Sequence, residues 1–399
     1  MSRVITLPPR SSGGEAQPST PGTPEGFSSV DEILSELRAG RMVLILDDED
    51  RENEGDLIMA AELVTPEAVA FMIRYTSGII CVPMEAERLA RLELPQMVPN
   101  NDDAYRTAFT VSVDYRFGTT TGVSSSDRAA TIRALANPNA SPKDFARPGH
   151  IFPLRPREGG VLVRAGHTEA AVDLCKLAGL QPVGVLCEVM NDDGTMARRP
   201  ELERFARTHQ LKIGTIADLI RYRLRNERSV DRVADHVVQT EFGEFRLYVY
   251  EDRVHHGVHF ALAHGNLEGT PAPLVRVHLA DTMRDLLGIS GDPNSWTLRA
   301  ALERIASAPS GVLVVLRKQE YASDIADVLR GLPAAPYPPL AGDRGPRQQG
   351  DGVLRTYGIG AQILKDVGVR RMRVLSAPKQ MHGISAFDLE IEGYVGEGA

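Results

Sequence analysis

The run Asp47-Asp48-Glu49-Asp50-Arg51-Glu52-Asn53-Glu54-Gly55-Asp56 puts seven carboxylates and one arginine into ten residues. It follows Met42-Val43-Leu44-Ile45-Leu46 and precedes Leu57-Ile58-Met59-Ala60-Ala61, two short apolar runs that read as buried strands. The acids are therefore held on a loop at the end of a sheet. An acidic run in polar surroundings is usually a solvated face. Here strands on both sides fix the loop, and carboxylates held close together need a compensating cation. Hard oxygen donors suggest magnesium or manganese. A calcium EF-hand loop fails on register, because counting from Asp48 the required glycine falls on Asn53 and the closing glutamate on Met59.

With 399 residues, 42% of them hydrophobic, the chain is long enough for two globular domains. A formal net charge of -8 and a pI near 5.8 leave no electrostatic footprint for nucleic acid. No apolar run approaches the ~18 residues that span a bilayer, so neither a nucleic-acid nor a membrane partner is expected, and the cytoplasm is the expected location. Cys81, Cys175 and Cys187 are an odd, widely spaced set without a CxxC pair, which argues against a disulfide framework. Residues 1–26, rich in proline, glycine and serine, read as a disordered tail.

Order begins near Phe27, where Ser28 or Ser29 caps a helix through Ile33, Leu34 and Leu37. Pro66 starts a second helix, and Ser77-Gly78 turns into a strand over 79–82. Thr107 to Val113 alternates like a strand whose continuation reaches Thr119 to Gly122, and Ser124 to Arg128 caps a helix to Ala136. Val161-Leu162-Val163 reads as a strand leading into a helix with Ala171, Leu174, Cys175 and Ala178 on its apolar side. The turn between them, Arg164-Ala165-Gly166-His167-Thr168, lies at a helix N-terminus, where free N–H groups and the dipole can hold a phosphate; a plain helix cap is the competing reading. His150, in a matching Gly-His context, is the other candidate histidine. Glu188 is a carboxylate inside the apolar strand Val183 to Met190, suited to acid–base work if buried; a place on the strand's polar face is the alternative. Helices follow over 201–208 and 216–225, and a domain boundary is placed at 228/229.

Taken together, Asp47 to Asp56, Arg147 to Leu154, Arg164 to Glu169, and Gly184 to Arg198 with Asn191-Asp192-Asp193-Gly194 closely resemble the motifs of 3,4-dihydroxy-2-butanone 4-phosphate synthase, in the same order. The likeness covers about 27–226. It implies a lyase of riboflavin biosynthesis that converts D-ribulose 5-phosphate to the four-carbon phosphate and formate with magnesium or manganese, two ions per active site, in a homodimer. Carried over residue by residue, it implies that Glu52 and His167 ligate metal, and that Arg51, Glu52, Asp56 and Glu188 contact substrate. It also implies that Arg164, Ala165, Gly166, His167 and Thr168 hold the phosphate end, and that His150 and Glu188 carry proton transfers. Cys81, Thr121 and Asp127 are further candidates for the pocket.

From about Ser229 the chain resembles GTP cyclohydrolase II, through Phe242 to Phe245, Leu274 to His278, Gly311 to Arg317 and Tyr357 to Leu364. The resemblance implies a zinc bound by three cysteines, but Asp281, Asp292 and Asn294 stand at those positions and no cysteine follows Cys187. Oxygen side chains replace thiolates poorly around a hydrolytic zinc. Gln319 to Asp324 and Val353-Leu354-Arg355 depart from the family pattern, and 333–352 reads as a loop insert. The reading is an α/β (α+β) chain of two domains, each a mixed sheet flanked by helices, with a synthase first and then a regulatory or structural domain that holds no zinc. The alternative is a bifunctional enzyme that also hydrolyses GTP through a metal site built from Asp281, Asp292 and Asp285 or His278.

Overall fold

The computed structural model describes residues 26–254, 256–289, 296–317, 325–326, 350–376 and 387–396. The expected tail up to residue 25, Asp292, Asn294, Gln319 to Asp324, and the insert up to 349 lie outside them, as do the side chains of Val353, Leu354 and Arg355. The architecture is mixed α/β, in two compact units that divide between Tyr222 and Arg223.

In the first unit, helix α1 (Val30–Arg38) starts in a capping box in which Ser29 Oγ accepts from the Glu32 N–H and the Glu32 carboxylate accepts from the Ser29 N–H. Strands β1 (Val43–Leu46) and β2 (Gly55–Ala60) pair antiparallel, Leu46 opposite Gly55, so the acidic run is the loop of a hairpin. Helix α2 (Pro66–Tyr75), β3 (Cys81–Pro83), α3 (Ala86–Arg91), β4 (Val113–Tyr115), α4 (Ser125–Ala136), β5 (Phe145–Leu154), α5 (His167–Leu177), β6 (Gly184–Glu188), α6 (Arg199–His209), β7 (Lys212–Thr215) and α7 (Ile216–Asn226) follow. The sheet order is β4-β5-β3-β6-β2-β1-β7, with β3/β5 and β1/β7 parallel among antiparallel neighbours.

Alternation along the strands divides the core. Leu44, Leu57, Met59, Val185 and Cys187 meet Val69, Phe71 and Met72 of α2 and Ile132 and Leu135 of α4. On the other face α1 lies against Gly214 and Ile45 through Ile33, and α5 packs on β6 where Gly184 leaves no room for a Cβ beside Ala171.

Two expected strands are absent from their places. Gly160–Leu162 is a 3-10 turn, because Asp173 of α5 accepts the Val161 N–H at 2.8 Å and Gly160, at φ +64, lies flat against that carboxylate. Residues 107–112 make only the bridges Gln96↔Thr110 and Phe109↔Leu154, so the ladder there is confined to β4. Thr119 to Gly122 is a bent loop tied to Asp127 by Thr120 Oγ1 (2.8 Å) and the Gly122 N–H (3.0 Å), which diverts it from a strand.

The second unit holds a mixed sheet of β8 (Val230–Thr240), β9 (Gly243–Asp252), β10 (Val258–Gly265), β11 (Leu274–Leu279), β12 (Ser310–Leu316), β13 (Arg371–Leu375) and β14 (Glu390–Val395) in the order β14-β13-β11-β12-β10-β9-β8. Helix α8 (Leu298–Ala306) covers one face through Ala301 and Ile305. Helix α9 (Gly350–Asp366) covers the other through Ile363 and Leu364.

Candidate active site

The hairpin loop separates its carboxylates by burial. Asp48, Glu49 and Asp50 are exposed at the tip, whereas Asp47, Glu52 and Glu54 are half-buried and Asp56 is buried. Asp47 organises the loop, although the sequence reading gave it no separate part. Its side chain accepts the Glu52 N–H (3.1 Å), the Glu54 N–H (2.8 Å) and Arg51 Nη1 (2.9 Å). Arg51 Nη1 also reaches Glu52 Oε2 at 2.7 Å, and its guanidinium lies 5.4 Å from the Tyr105 ring centre. Arg198 closes the loop from outside, donating to the carbonyls of Glu52 (2.7 Å) and Asn53 (2.5 Å).

His167, the first residue of α5, points at this loop from beneath. Its Nε2 lies 3.1 Å from the Ile45 carbonyl, which can only accept, so Nε2 carries a proton. Nδ1 faces Asp56 Oδ1 at 3.7 Å and Glu52 Oε2 at 3.8 Å. One ligand atom each from Asp47, Glu52 and His167 lie within 4.8 Å of one another, the arrangement a cation needs. The buried Asp56 Oδ1 has no hydrogen-bond partner. A carboxylate pair, a histidine whose other nitrogen is anchored on a carbonyl, and an orphaned buried oxygen fit a hard divalent cation.

The electrostatics are those of crowded acids. Burial, with Glu188 and Glu52 nearby, pushes the Asp56 carboxyl up to about 8, although the charge of His167 opposes it. Burial works against charge on His167, but Asp56, Glu52 and Asp47 prevail and raise it to about 9. Burial also opposes charge on Glu52, yet His167 and Arg51 hold it down at about 2.

Glu188 stands directly opposite Asp56 in the β2/β6 ladder, and its Oε2 accepts the Ile79 N–H at 2.8 Å. It is half-buried at the strand end. A side chain at Gly78 would collide with it, which explains the glycine there. His150 lies two residues before Phe152, which pairs with Cys81 of β3, while Cys81 also pairs with Leu186 of β6. This brings His150 to the same end of the sheet as Glu188, two strands and roughly 10 Å away. Cys81 is buried on that path. Thr121 is exposed, and Asp127 is buried in the first turn of α4.

The remaining expected residues are buried at the start of α5. Gly166 is its N-cap, with Ala165 and Thr168 3% and 5% exposed. The Arg164 guanidinium is taken up internally by Glu169 Oε2 (2.7 Å), Thr107 Oγ1 (3.0 Å) and the Tyr105 carbonyl (3.1 Å). It crosses so close to Gly166 that no side chain fits there.

In the second unit, the position implied for the first zinc cysteine holds Asp281, whose N–H donates to Asp285 Oδ2 at 2.9 Å. The same oxygen meets His278 Nε2 at 2.8 Å. Asp281 itself caps the next turn through the Arg284 N–H at 3.0 Å.

Comparison with known proteins gives these halves their families. The model of 3,4-dihydroxy-2-butanone 4-phosphate synthase matches residues 31–222, and that of GTP cyclohydrolase II matches 231–396. A 3,4-dihydroxy-2-butanone 4-phosphate synthase of Pseudomonas aeruginosa is 50% identical over 369 residues, 92% of this chain and 99% of its own. A probable bifunctional riboflavin biosynthesis protein, RIBA 1 of Oryza sativa subsp. japonica, is 47% identical over 382 residues, 93% of this chain and 70% of its own. The crystal structure of RibBX, a two-domain 3,4-dihydroxy-2-butanone 4-phosphate synthase from A. baumannii, aligns with a TM-score of 0.78 at 42% identity, covering 93% of this chain and 100% of that one. The chain belongs to the 3,4-dihydroxy-2-butanone 4-phosphate synthase family, a lyase of riboflavin biosynthesis with a GTP cyclohydrolase II-like second half.

Proposed function

We propose that the lyase site is the cluster between the acidic hairpin and the start of α5, with D-ribulose 5-phosphate as substrate. The observation that carries this is His167 Nδ1 facing Glu52 and Asp56 while Nε2 is anchored on Ile45. Glu52 and His167 would hold magnesium or manganese, two ions per site, with Asp47 within reach of the same position. A bound divalent cation supplies charge stabilisation for an enediolate formed from the hydroxyketone end of the sugar. Arg51 and Asp56 orient that end, and the first turn of α5 from Ala165 to Thr168 receives the phosphate through its N–H groups. Arg164 supports that turn by pinning Glu169 and the 105–107 segment. Glu188 and His150 move protons at the sheet end.

Glu52→Gln and His167→Ala are expected to lower turnover by 10²-fold or more, on the order of what loss of one electrostatic or acid–base group costs. Circular dichroism should remain unchanged. Formate release from ribulose 5-phosphate measures the effect, and a fully active His167→Ala protein contradicts the site.

A second copy of the chain is proposed to cover the edge that carries His150. Ile79, Phe117 and Val123, around that edge, are 51%, 59% and 45% exposed, which is costly for large apolar side chains left in water. Sedimentation as a monomer of 43.5 kDa would exclude the homodimer.

For the second unit we propose a regulatory or structural role without GTP hydrolysis and without zinc. His278 Nε2 and the Asp281 N–H both meet Asp285 Oδ2, Asp281 is spent on the Arg284 N–H, and no cysteine follows Cys187 to supply thiolates for the metal. Among the described residues no helix is long and apolar enough to cross a membrane. The three cysteines are free and buried, as suits a reducing compartment, and the cytoplasm is the proposed location. The purified full-length protein given GTP alone should release no formate; release of formate would establish the bifunctional alternative.

A further inference from the structure

Strand β4 meets β5 through an irregular register in which Val113 stands opposite Ile151 but Asp114 stands opposite Ala146. Residues 147–150 are thereby left over on the β5 side, and His150 turns back onto Asp114. Asp114 Oδ1 accepts the His150 backbone N–H at 2.9 Å, and Oδ2 lies 2.7 Å from Nδ1. Both oxygens of one carboxylate are thus spent on one residue. The Asp114 side chain is 15% exposed, whereas the imidazole is 45% exposed.

The surroundings hold this pair in place. Gly122, at φ +84, lies so close that a Cβ would overlap Asp114 Oδ2 and crowd His150 Nδ1. The Gly122 loop is in turn tied down by Asp127, which is 4% exposed and accepts from Thr120 Oγ1 and the Gly122 N–H. Gly149, with no room for a Cβ beside the Val113 backbone, donates its N–H to Ser112 Oγ at 3.2 Å.

We infer that Asp114 is a positioning residue for the synthase reaction, fixing His150 as the Nδ1–H tautomer so that the Nε2 lone pair faces the substrate side. A carboxylate oxygen accepts, so the proton between the two residues belongs to Nδ1. Nε2 then takes a proton from the substrate and returns it in a later step, with no change of oxidation state in the protein. Asp114 neither touches the substrate nor exchanges a proton. Asp127 and Gly122 act one step further out, holding the loop that keeps Asp114 and His150 together. The inference rests on the proposed proton-transfer role of His150.

The test uses the full-length protein with Mg2+ and ribulose 5-phosphate, comparing Asp114→Asn, Asp114→Glu and His150→Gln. Asp114→Asn should lower kcat on the order of 100-fold while KM changes less than about threefold, since the lost element is orientation in the reaction rather than binding. Asp114→Glu should recover part of kcat. A direct reading comes from the imidazole 15N shifts of the unsubstituted protein at alkaline pH, with the His150 signals identified by their loss in His150→Gln. They should report Nδ1–H.

An Nε2–H tautomer, or an Asp114→Asn protein with kcat within about twofold of the original, overturns the inference. If His150→Gln is fully active, it is the assignment of proton transfer to His150 that fails. The tautomer reading decides the matter even if the Asp114 variants do not fold.

Discussion

The hydrogen bond from His167 Nε2 to the Ile45 carbonyl joins the two parts of the chain on which the site depends. Ile45 lies in β1 opposite Asp56 of β2, and His167 opens α5, more than a hundred residues later. The bond keeps a proton on Nε2 and aims Nδ1 at the carboxylates. It also requires α5 to lie flat on the sheet, which Gly184 permits by leaving space for Ala171. Sheet, helix and acidic loop are therefore positioned by one another.

The acidic loop keeps its shape through its own charges. Asp47 gathers two backbone N–H groups and Arg51, so that the arginine offsets part of the repulsion while Glu52 faces His167. Asp56 bears the cost of this crowding, buried with an unsatisfied oxygen beside Glu52 and opposite Glu188. Such groups are expensive where packing alone is the requirement, and they are retained where a cation or a proton must be handled. In the second unit His278 Nε2 meets Asp285, while its buried Nδ1 has no hydrogen-bond partner.

Much of this was legible in the sequence because it depended on local pattern. The hairpin loop, the cap of α1 and the start of α5 follow from apolar runs and punctuating residues, as does a strand that carries Glu188, although the strand ends at Glu188 and does not run on to Met190. What escaped depended on contacts between distant residues. Val161 to Val163 has the composition of a strand, but Asp173, nearly two turns into the next helix, captures the Val161 N–H and coils the segment. Thr119 to Gly122 is likewise bent by Asp127. Asp47 was lost among seven similar carboxylates, and Asp114 carries no motif at all; only the fold shows that each is the acceptor that orders its neighbours. The bonds from Arg164, which the resemblance places at the phosphate end, to Tyr105 and Thr107 leave no trace in the sequence because those partners lie in a polar segment with no periodicity.

The central claim is that the hairpin and α5 together hold a divalent cation, and its most direct test is anomalous diffraction from crystals of the full-length protein soaked in Mn2+. The account predicts an anomalous peak within coordinating distance of a Glu52 carboxylate oxygen and His167 Nδ1, with Nε2 still on the Ile45 carbonyl. A peak bound elsewhere with that cluster empty, or His167 turned away from the loop in the Mn2+-soaked crystal, would contradict it.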